Sequence, residues 1–336
     1  MVVSRRASAL LLAVLLATAG LAACSSDGSD GAAPLEGADP GADVARYSFT
    51  MLAYNVAGLP QEISKVTPSE DLPQISPLLD DYDLVVTQED FDWWAPDGLA
   101  AGLDFTNYHE RLWADTTFEH RTERHPGPEA VGLDPTTRPE LELGDGLAVG
   151  SRFPLLEVDR VPWASCYGGF DTSDGGAADC LAMKGFLFAR VELTDGVEVD
   201  VYDLHVEAGG SDTDQDLQAD DIAQLQAYIE DRSDGRAVIV AGDTNLHTDV
   251  TDPEDLDVAD GPLWAGLLED LGLTDACDAT DCPEPGRIDK VAYRSGGGLT
   301  LEAASHAFRN DVFVDDQGED LSDHQPLEVT FDWVAS

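Results

Sequence analysis

Gly242-Asp243-Thr244-Asn245 directly follows the unbroken apolar run Ala237-Val238-Ile239-Val240-Ala241. Such a run reads as a strand buried on both faces. A glycine and three small polar residues at its end make a turn, which carries an acid and an amide out from a rigid sheet edge. Asp243 and Asn245 at this spacing can bind a hydrated metal, hold a water, or exchange hydrogen bonds with a phosphate. By itself the tetrad would also serve as an ordinary Asx turn.

The arrangement recurs along the chain. Ser322-Asp323-His324-Gln325-Pro326 precedes Leu327-Glu328-Val329-Thr330-Phe331, which alternates like a half-buried strand. Asp289 lies in the strand-like run Arg287 to Tyr293, and His205 ends the run from Val197 through Asp203 and Leu204. Glu89 follows Val85-Val86-Thr87-Gln88, and Asn55 closes the run from Tyr47. Six strand ends each present Asn, Asp, Glu or His, which implies one site assembled at one edge of a sheet sandwich. Between these strands, Asp216 to Glu230 has helical spacing of Leu217, Ile222, Leu225, Tyr228 and Ile229. Pro262 to Leu271 reads as a second helix closed by Gly272, and Ser69 to Leu79 as a short one despite Pro73 and Pro77. Residues 92 to 140 read as irregular. The order suits an α/β fold with two packed mixed sheets flanked by helices, a four-layer sandwich.

The ordered set Tyr54-Asn55-Val56, Gln88-Glu89, Asp203-Leu204-His205, Gly242-Asp243-Thr244-Asn245, Arg287-Ile288-Asp289 and Ser322-Asp323-His324-Gln325-Pro326 resembles the endonuclease/exonuclease/phosphatase superfamily, whose fold is that of DNase I. Asp203 departs from the pattern, since many members carry Thr or Ser there. The run Asp145-Gly146-Leu147-Ala148-Val149-Gly150-Ser151-Arg152-Phe153-Pro154, followed by Lys184-Gly185-Phe186 and His205-Val206-Glu207, is similar to the sphingomyelinase-like phospholipase C branch. The resemblance implies phosphodiester hydrolysis with a divalent cation, Mg²⁺ or alternatively Mn²⁺ or Ca²⁺.

On chemical grounds Glu89 suits a hard cation, with Asn55 beside it, and the resemblance implies the same. His324 is the expected general base, with Asp289 holding its far ring nitrogen. Asp243 is expected to orient the attacking water, Asn245 to hydrogen-bond a phosphate oxygen, and His205 to donate to the phosphate or leaving group. Asp323 would either ligate a second metal or support the ligands of the first. Trp93-Trp94 would stack on a quaternary ammonium, enter a bilayer interface, or pack a loop.

The chain's two ends and its charge bear on partners. Residues 1–23 read as an export leader, with Arg5-Arg6 before a short apolar stretch and Leu21-Ala22-Ala23-Cys24 as a lipoprotein processing site. Cys24 would then carry lipid, and residues 24–45, rich in Ser, Asp, Gly, Ala and Pro, would be a disordered tether to a catalytic domain over 46–336. This predicts an exported, membrane-anchored monomer. Cys166, Cys180, Cys277 and Cys282 remain, an even number that suggests two disulfides; three pairings are possible, and local pairing of Cys166 with Cys180 and Cys277 with Cys282 is expected, because each pair brackets a polar loop. The net charge is −49, and loss of Arg5 and Arg6 would make it more negative. Lys65, Lys184 and Lys290 are the only lysines. A nuclease needs cations facing phosphates, so nucleic acid is disfavoured as a partner and phospholipid preferred. A secreted nuclease and a non-catalytic surface lipoprotein stand as the competing readings.

Overall fold

The computed structural model describes residues 45–59, 61, 64–92, 108–169 and 177–336. The leader, Cys24, the tether up to residue 44, Trp93 and Trp94 lie outside the described residues. Among the described residues no helix is long and apolar enough to cross a membrane.

Among the described residues twelve strands, numbered in chain order, form two six-stranded sheets. One contains β1 (Tyr47–Asn55), β2 (Leu84–Gln88), β3 (His120–Arg121), β4 (Ala148–Ser151), β11 (Leu299–Phe308) and β12 (Leu327–Ala335), in the order β11-β12-β1-β2-β4-β3. The other contains β5 (Leu155–Pro162), β6 (Gly185–Thr194), β7 (Val197–His205), β8 (Val238–Asp243), β9 (Thr274–Asp275) and β10 (Asp289–Arg294), in the order β5-β6-β7-β8-β10-β9. Each sheet is mixed, because β1 with β2 and β7 with β8 pair parallel while the other neighbours are antiparallel. The central strands read as continuous apolar runs because both of their faces are covered. Met51, Val86 and Val149 of the first sheet meet Leu187, Val201, Ile239 and Val291 of the second in the core between them. Each such fully buried side chain contributes about 1.5–3 kcal/mol.

The outer faces take helices. Leu52, Tyr54 and Val85 pack under α1 (Pro68–Ile75) and α2 (Tyr108–Leu112). Phe186, Leu204 and Val240 pack under Ile222, Leu225 and Ile229 of α3 (Asp212–Arg232) and under Trp264 and Leu267 of α4 (Asp260–Leu271). The four layers expected from sequence are therefore present.

Several boundaries differ from those expectations. The first helix stops at Ile75 and continues as a 3₁₀ turn over Ser76–Asp81, because Pro77 has no N–H to extend the ladder. The α3 helix starts earlier, at Asp212, because Ser211 accepts the Asp214 N–H and Asp214 accepts the Ser211 N–H in return, a capping box. Gly272 closes α4 in the left-handed conformation, as its sequence position predicts. Strands β3, β5, β9 and β11 were not expected, and α2 and β3 lie in the stretch 92 to 140 that reads as irregular. Cys166 bonds Cys180 and Cys277 bonds Cys282, with Cα separations of 5.2 and 4.8 Å, so both bridges are local. The second bridge spans α5 (Ala276–Thr280).

Candidate active site

Sheet register brings the polar strand ends level. In the first sheet Asn55 pairs with Gln88, whose next residue is Glu89. In the second, His205 pairs with Asp243, and Asp243 with Asp289. His324 enters from the loop ahead of β12. Ser322 fixes that loop: its hydroxyl donates to the Asn55 carbonyl at 2.7 Å and accepts the His324 N–H at 3.1 Å.

The side chains converge across the two sheets. Asn55 Nδ2 donates to Glu89 Oε1 at 3.1 Å and to Asp243 Oδ2 at 2.9 Å. His324 Nδ1 lies 3.0 Å from Asp289 Oδ2, and its Nε2 is 3.7 Å from Asp243 Oδ2. His205 Nε2 is 3.5 Å from Asp243 Oδ2 and 3.9 Å from Glu89 Oε1. Asp243 thus stands between the two histidines. Asp243 Oδ1 accepts the Asn245 N–H at 3.0 Å, so the tetrad also forms the Asx turn that its sequence allows. Asn245 Nδ2 donates to the Val206 carbonyl at 2.9 Å, which leaves its second amide hydrogen for another acceptor.

Two of these residues hold left-handed backbone. Asn245 has φ 52° and Glu89 has φ 58°. Asparagine adopts this region readily, whereas a glutamate there costs roughly 1–2 kcal/mol. The Glu89 carbonyl accepts the Gly58 N–H at 3.0 Å, and a Cβ on Gly58 would lie 2.2 Å from that oxygen. Only glycine lets the chain approach closely enough to hold Glu89 in this conformation.

The electrostatics give the groups different protonation states. Burial pushes the Glu89 carboxyl up to about 6, against the opposing pull of His324 and the Asn55 amide. Burial also disfavours charge on His324, but Asp289, Asp243 and Glu89 outweigh it and raise the imidazole to about 10. Burial, reinforced by the nearby Lys184 ammonium, drives His205 well below its ordinary value, so it is neutral. Burial opposes ionisation of Asp243 as well, yet the two histidines and Asn55 hold it below the usual carboxylate range. One histidine carries a proton and the other does not. This split suits a pair with different proton-transfer tasks.

Glu89, His205 and Asp243 offer ligand atoms that all lie within 4.8 Å of one another, and so do Asp243, Asp289 and His324. Buried carboxylate oxygens at strand ends are a donor set that fits a hard divalent cation. Asn55 turns its amide nitrogen, not its oxygen, toward the acids, because Oδ1 accepts the Ala57 N–H at 3.0 Å. Ligation through that oxygen would require the amide to rotate and give up the Ala57 bond. Asp323 is not brought into either cluster. Its carboxylate faces outward and pairs with Lys65 at 3.0 Å.

Lys184 is a neighbour of the site that its sequence position alone did not reveal. It is buried, and its Nζ lies 2.5 Å from Asp179 Oδ1, while Asp179 Oδ2 accepts the Ala208 N–H at 3.0 Å. The ammonium stays charged because Asp179, Glu207 and Asp243 overcome its burial. It therefore supplies fixed positive charge behind His205 in a strongly acidic chain. Its signals in sequence were its rarity, as one of three lysines, and its place at the head of the Lys184-Gly185-Phe186 run, neither of which assigned it a role.

Residues 52–324 match the Endonuclease/Exonuclease/phosphatase family, and the chain belongs to that family. More particularly, it is similar to the sphingomyelinases of Mycobacterium tuberculosis and Mycobacterium bovis, at 34% identity over 304 residues, covering 87% of this chain and 54% of theirs. The chain spans about half the length of these curated relatives. Its fold is shared with a beta toxin mutant from Staphylococcus aureus that carries bound magnesium ions, at TM-score 0.56 and 15% identity over 84% of this chain and 99% of that one. It is shared too with sphingomyelinase C from Streptomyces griseocarneus, at TM-score 0.53 and 19% identity over 86% and 99% of the two chains.

Proposed function

We propose that this protein is a divalent-metal-dependent phosphodiesterase that hydrolyses a phospholipid or sphingomyelin headgroup by water attack. The observation that carries the reading is the meeting of Glu89, Asp243, His205 and the His324–Asp289 pair at one edge of both sheets. The likeness to mycobacterial sphingomyelinases supports the lipid substrate.

Glu89 would hold the cation, with Asn55 and Asp243 shaping its surroundings. A bound divalent cation, magnesium being the first candidate, would supply Lewis-acid stabilisation of the phosphoryl oxygens and cancel the carboxylate field. With the carboxylate field cancelled, His324 would lose the proton that Asp289, Asp243 and Glu89 otherwise keep on it; its neutral Nε2 then takes a proton from water, and Asp289 holds the opposite nitrogen so that Nε2 faces the reaction. The water oxygen bonds to phosphorus as the bond to the leaving oxygen breaks. His205, neutral and therefore carrying one N–H, donates to the leaving side. Asn245 steadies a phosphate oxygen.

The nuclease alternative meets an electrostatic obstacle. A net charge of −49 repels a polyanion over most of the surface. The test assays purified protein with Mg²⁺ on sphingomyelin and phosphatidylcholine in mixed micelles and on plasmid DNA. A phosphorylated headgroup should be released, and plasmid should be cut poorly at the same enzyme concentration. Efficient DNA cleavage with no headgroup release would replace this reading with the nuclease.

Anchoring at Cys24 belongs to the same proposal, since it would keep the enzyme at a membrane surface. Wild-type protein should partition into detergent as a lipid-modified species, and Cys24→Ser should abolish that partitioning. Recovery of wild type solely as an unmodified secreted form would remove the anchor.

A further inference from the structure

A second group of metal-ligating side chains gathers where α5 meets β11, and it holds sulfur, which none of the residues at the catalytic edge carries. Cys277 and Cys282 form a C-x₄-C pair around most of α5. Their sulfurs and a ring nitrogen of His306, from β11, all lie within 4.8 Å of one another. Two cysteines at this spacing, joined by a histidine from another element, are the ligand set of Cys₂His zinc sites.

The neighbours of these residues prepare them for a metal. His306 Nδ1 is buried and makes no hydrogen bond. Burial lowers the imidazole below its ordinary value, against the pull of Asp275, so the ring is neutral and keeps a lone pair free. Asp275 Oδ1 accepts the Cys277 N–H at 2.7 Å, and its Oδ2 accepts the Trp264 Nε1–H at 2.8 Å. The Cys282 N–H donates to the Cys277 carbonyl at 3.0 Å. These bonds keep the two cysteines together apart from the bridge itself. A cavity of about 10 Å³, lined by Cys277, His306 and Asp275 among others, has room for one water. Zinc about 2.3 Å from each sulfur sets the sulfurs roughly 3.8 Å apart, a spread that rotation about the two Cα–Cβ bonds supplies.

We propose that the Cys277–Cys282 bridge is one of two closures of this loop, and that the reduced pair binds one Zn²⁺ together with His306, with a water in the fourth position. A dithiol gives two electrons and two protons to the bridge. The S–S bond breaks, and the dithiol becomes a disulfide. Zinc then displaces the two thiol protons as two S–Zn bonds and one N–Zn bond form. The consequence is structural. The α5 helix has five residues, too few to persist as a helix by itself. A metal clip keeps it seated on β10 and β11 after the bridge is cut. The site is independent of the phosphodiesterase reading.

The test uses the full chain, reduced with a phosphine, and Co²⁺ as the probe. Reduced wild type should show the intense near-ultraviolet charge-transfer absorption of thiolate bound to cobalt, saturating at one equivalent, and Zn²⁺ should remove it. Cobalt at the catalytic edge has no thiolate ligand and adds nothing to this band. The band should be absent from unreduced protein and from Cys277→Ser. It should persist when Cys166→Ser and Cys180→Ser are combined. His306→Ala should weaken Zn²⁺, measured by competition with a chromophoric chelator, by about ten- to a hundred-fold, and His306→Asp should recover part of the loss. Far-UV circular dichroism of the reduced protein with Zn²⁺ should match that of the oxidised protein. Reduced wild type without the band, a band retained in Cys277→Ser, or unchanged Zn²⁺ affinity in His306→Ala overturns the proposal. So does a reduced protein that Zn²⁺ leaves unfolded.

Discussion

His324→Ala should lower kcat by about 10² to 10⁴-fold, the usual worth of a positioned general base. His324 is the one imidazole that faces Asp243 through Nε2 while its Nδ1 is held, at 3.0 Å, by a buried acid. The loop that carries it is fixed by Ser322 rather than by the imidazole, so the variant should fold, with unchanged far-UV circular dichroism and a melting temperature near wild type. Asp289 acts through the ring. Asp289→Asn should therefore slow turnover by itself but add little to His324→Ala, a non-additivity that independent roles would not give. The pH profile supplies a further check. Asp289 is the leading opponent of burial in raising His324 to about 10, so the base form should emerge at lower pH in Asp289→Asn than in wild type. Near wild-type turnover in His324→Ala would remove the base assignment, and strict additivity of the two substitutions would remove Asp289 as its holder.

The parts of the site that were legible in sequence are those whose signal is local. Val238 to Ala241 and Leu84 to Thr87 are buried on both faces, so they stand out as apolar runs, and a polar residue at the end of such a run is conspicuous. Sheet register then does the assembly, setting His205, Asp243 and Asp289 side by side. Strands β5 and β11 were missed because both are edge strands with one exposed face and irregular pairing. Register shifts interrupt each, between Leu155 and Glu157 and between Ala303 and Ser305, and the small polar stretch of β11 lacks a clean alternation. Lys184 was missed because its partners Asp179 and Asp243 are brought to it by folding, not by a motif. Asp323 shares a motif with His324, yet in the bend ahead of β12 its carboxylate faces Lys65 instead of the acids. The orientation of the Asn55 amide depends on the Ala57 N–H, a backbone contact set by a turn in which Ala57 itself has φ 48°.

Removing the cation should abolish turnover, and Glu89→Gln should come close to doing so in the presence of it. Glu89 is held at the meeting of the sheets by a left-handed backbone that glutamate does not favour, which is strain kept at a position where the carboxylate is needed. A chelator should stop the reaction and added Mg²⁺ should restore it. Glu89→Gln keeps the shape and a carbonyl oxygen but loses the charge. It should raise the Mg²⁺ concentration for half-maximal activity by about ten-fold or more and cut the maximal rate. Proton competition predicts a second signature. The folded carboxyl titrates near 6, above its ordinary value, so it is protonated below that pH and ionised above it. Apparent Mg²⁺ affinity should therefore rise with pH through about 6 and flatten above it, falling roughly five-fold between pH 6 and pH 5. In Glu89→Gln the part of this dependence that belongs to Glu89 should vanish while the rest of the profile stays. Calorimetric titration of Mg²⁺ into wild type and variant at pH 5, 6 and 7 measures both effects. Unchanged metal affinity in Glu89→Gln across that range would place the cation on other ligands, with Asp243 and Asp289 the remaining carboxylates of the cluster.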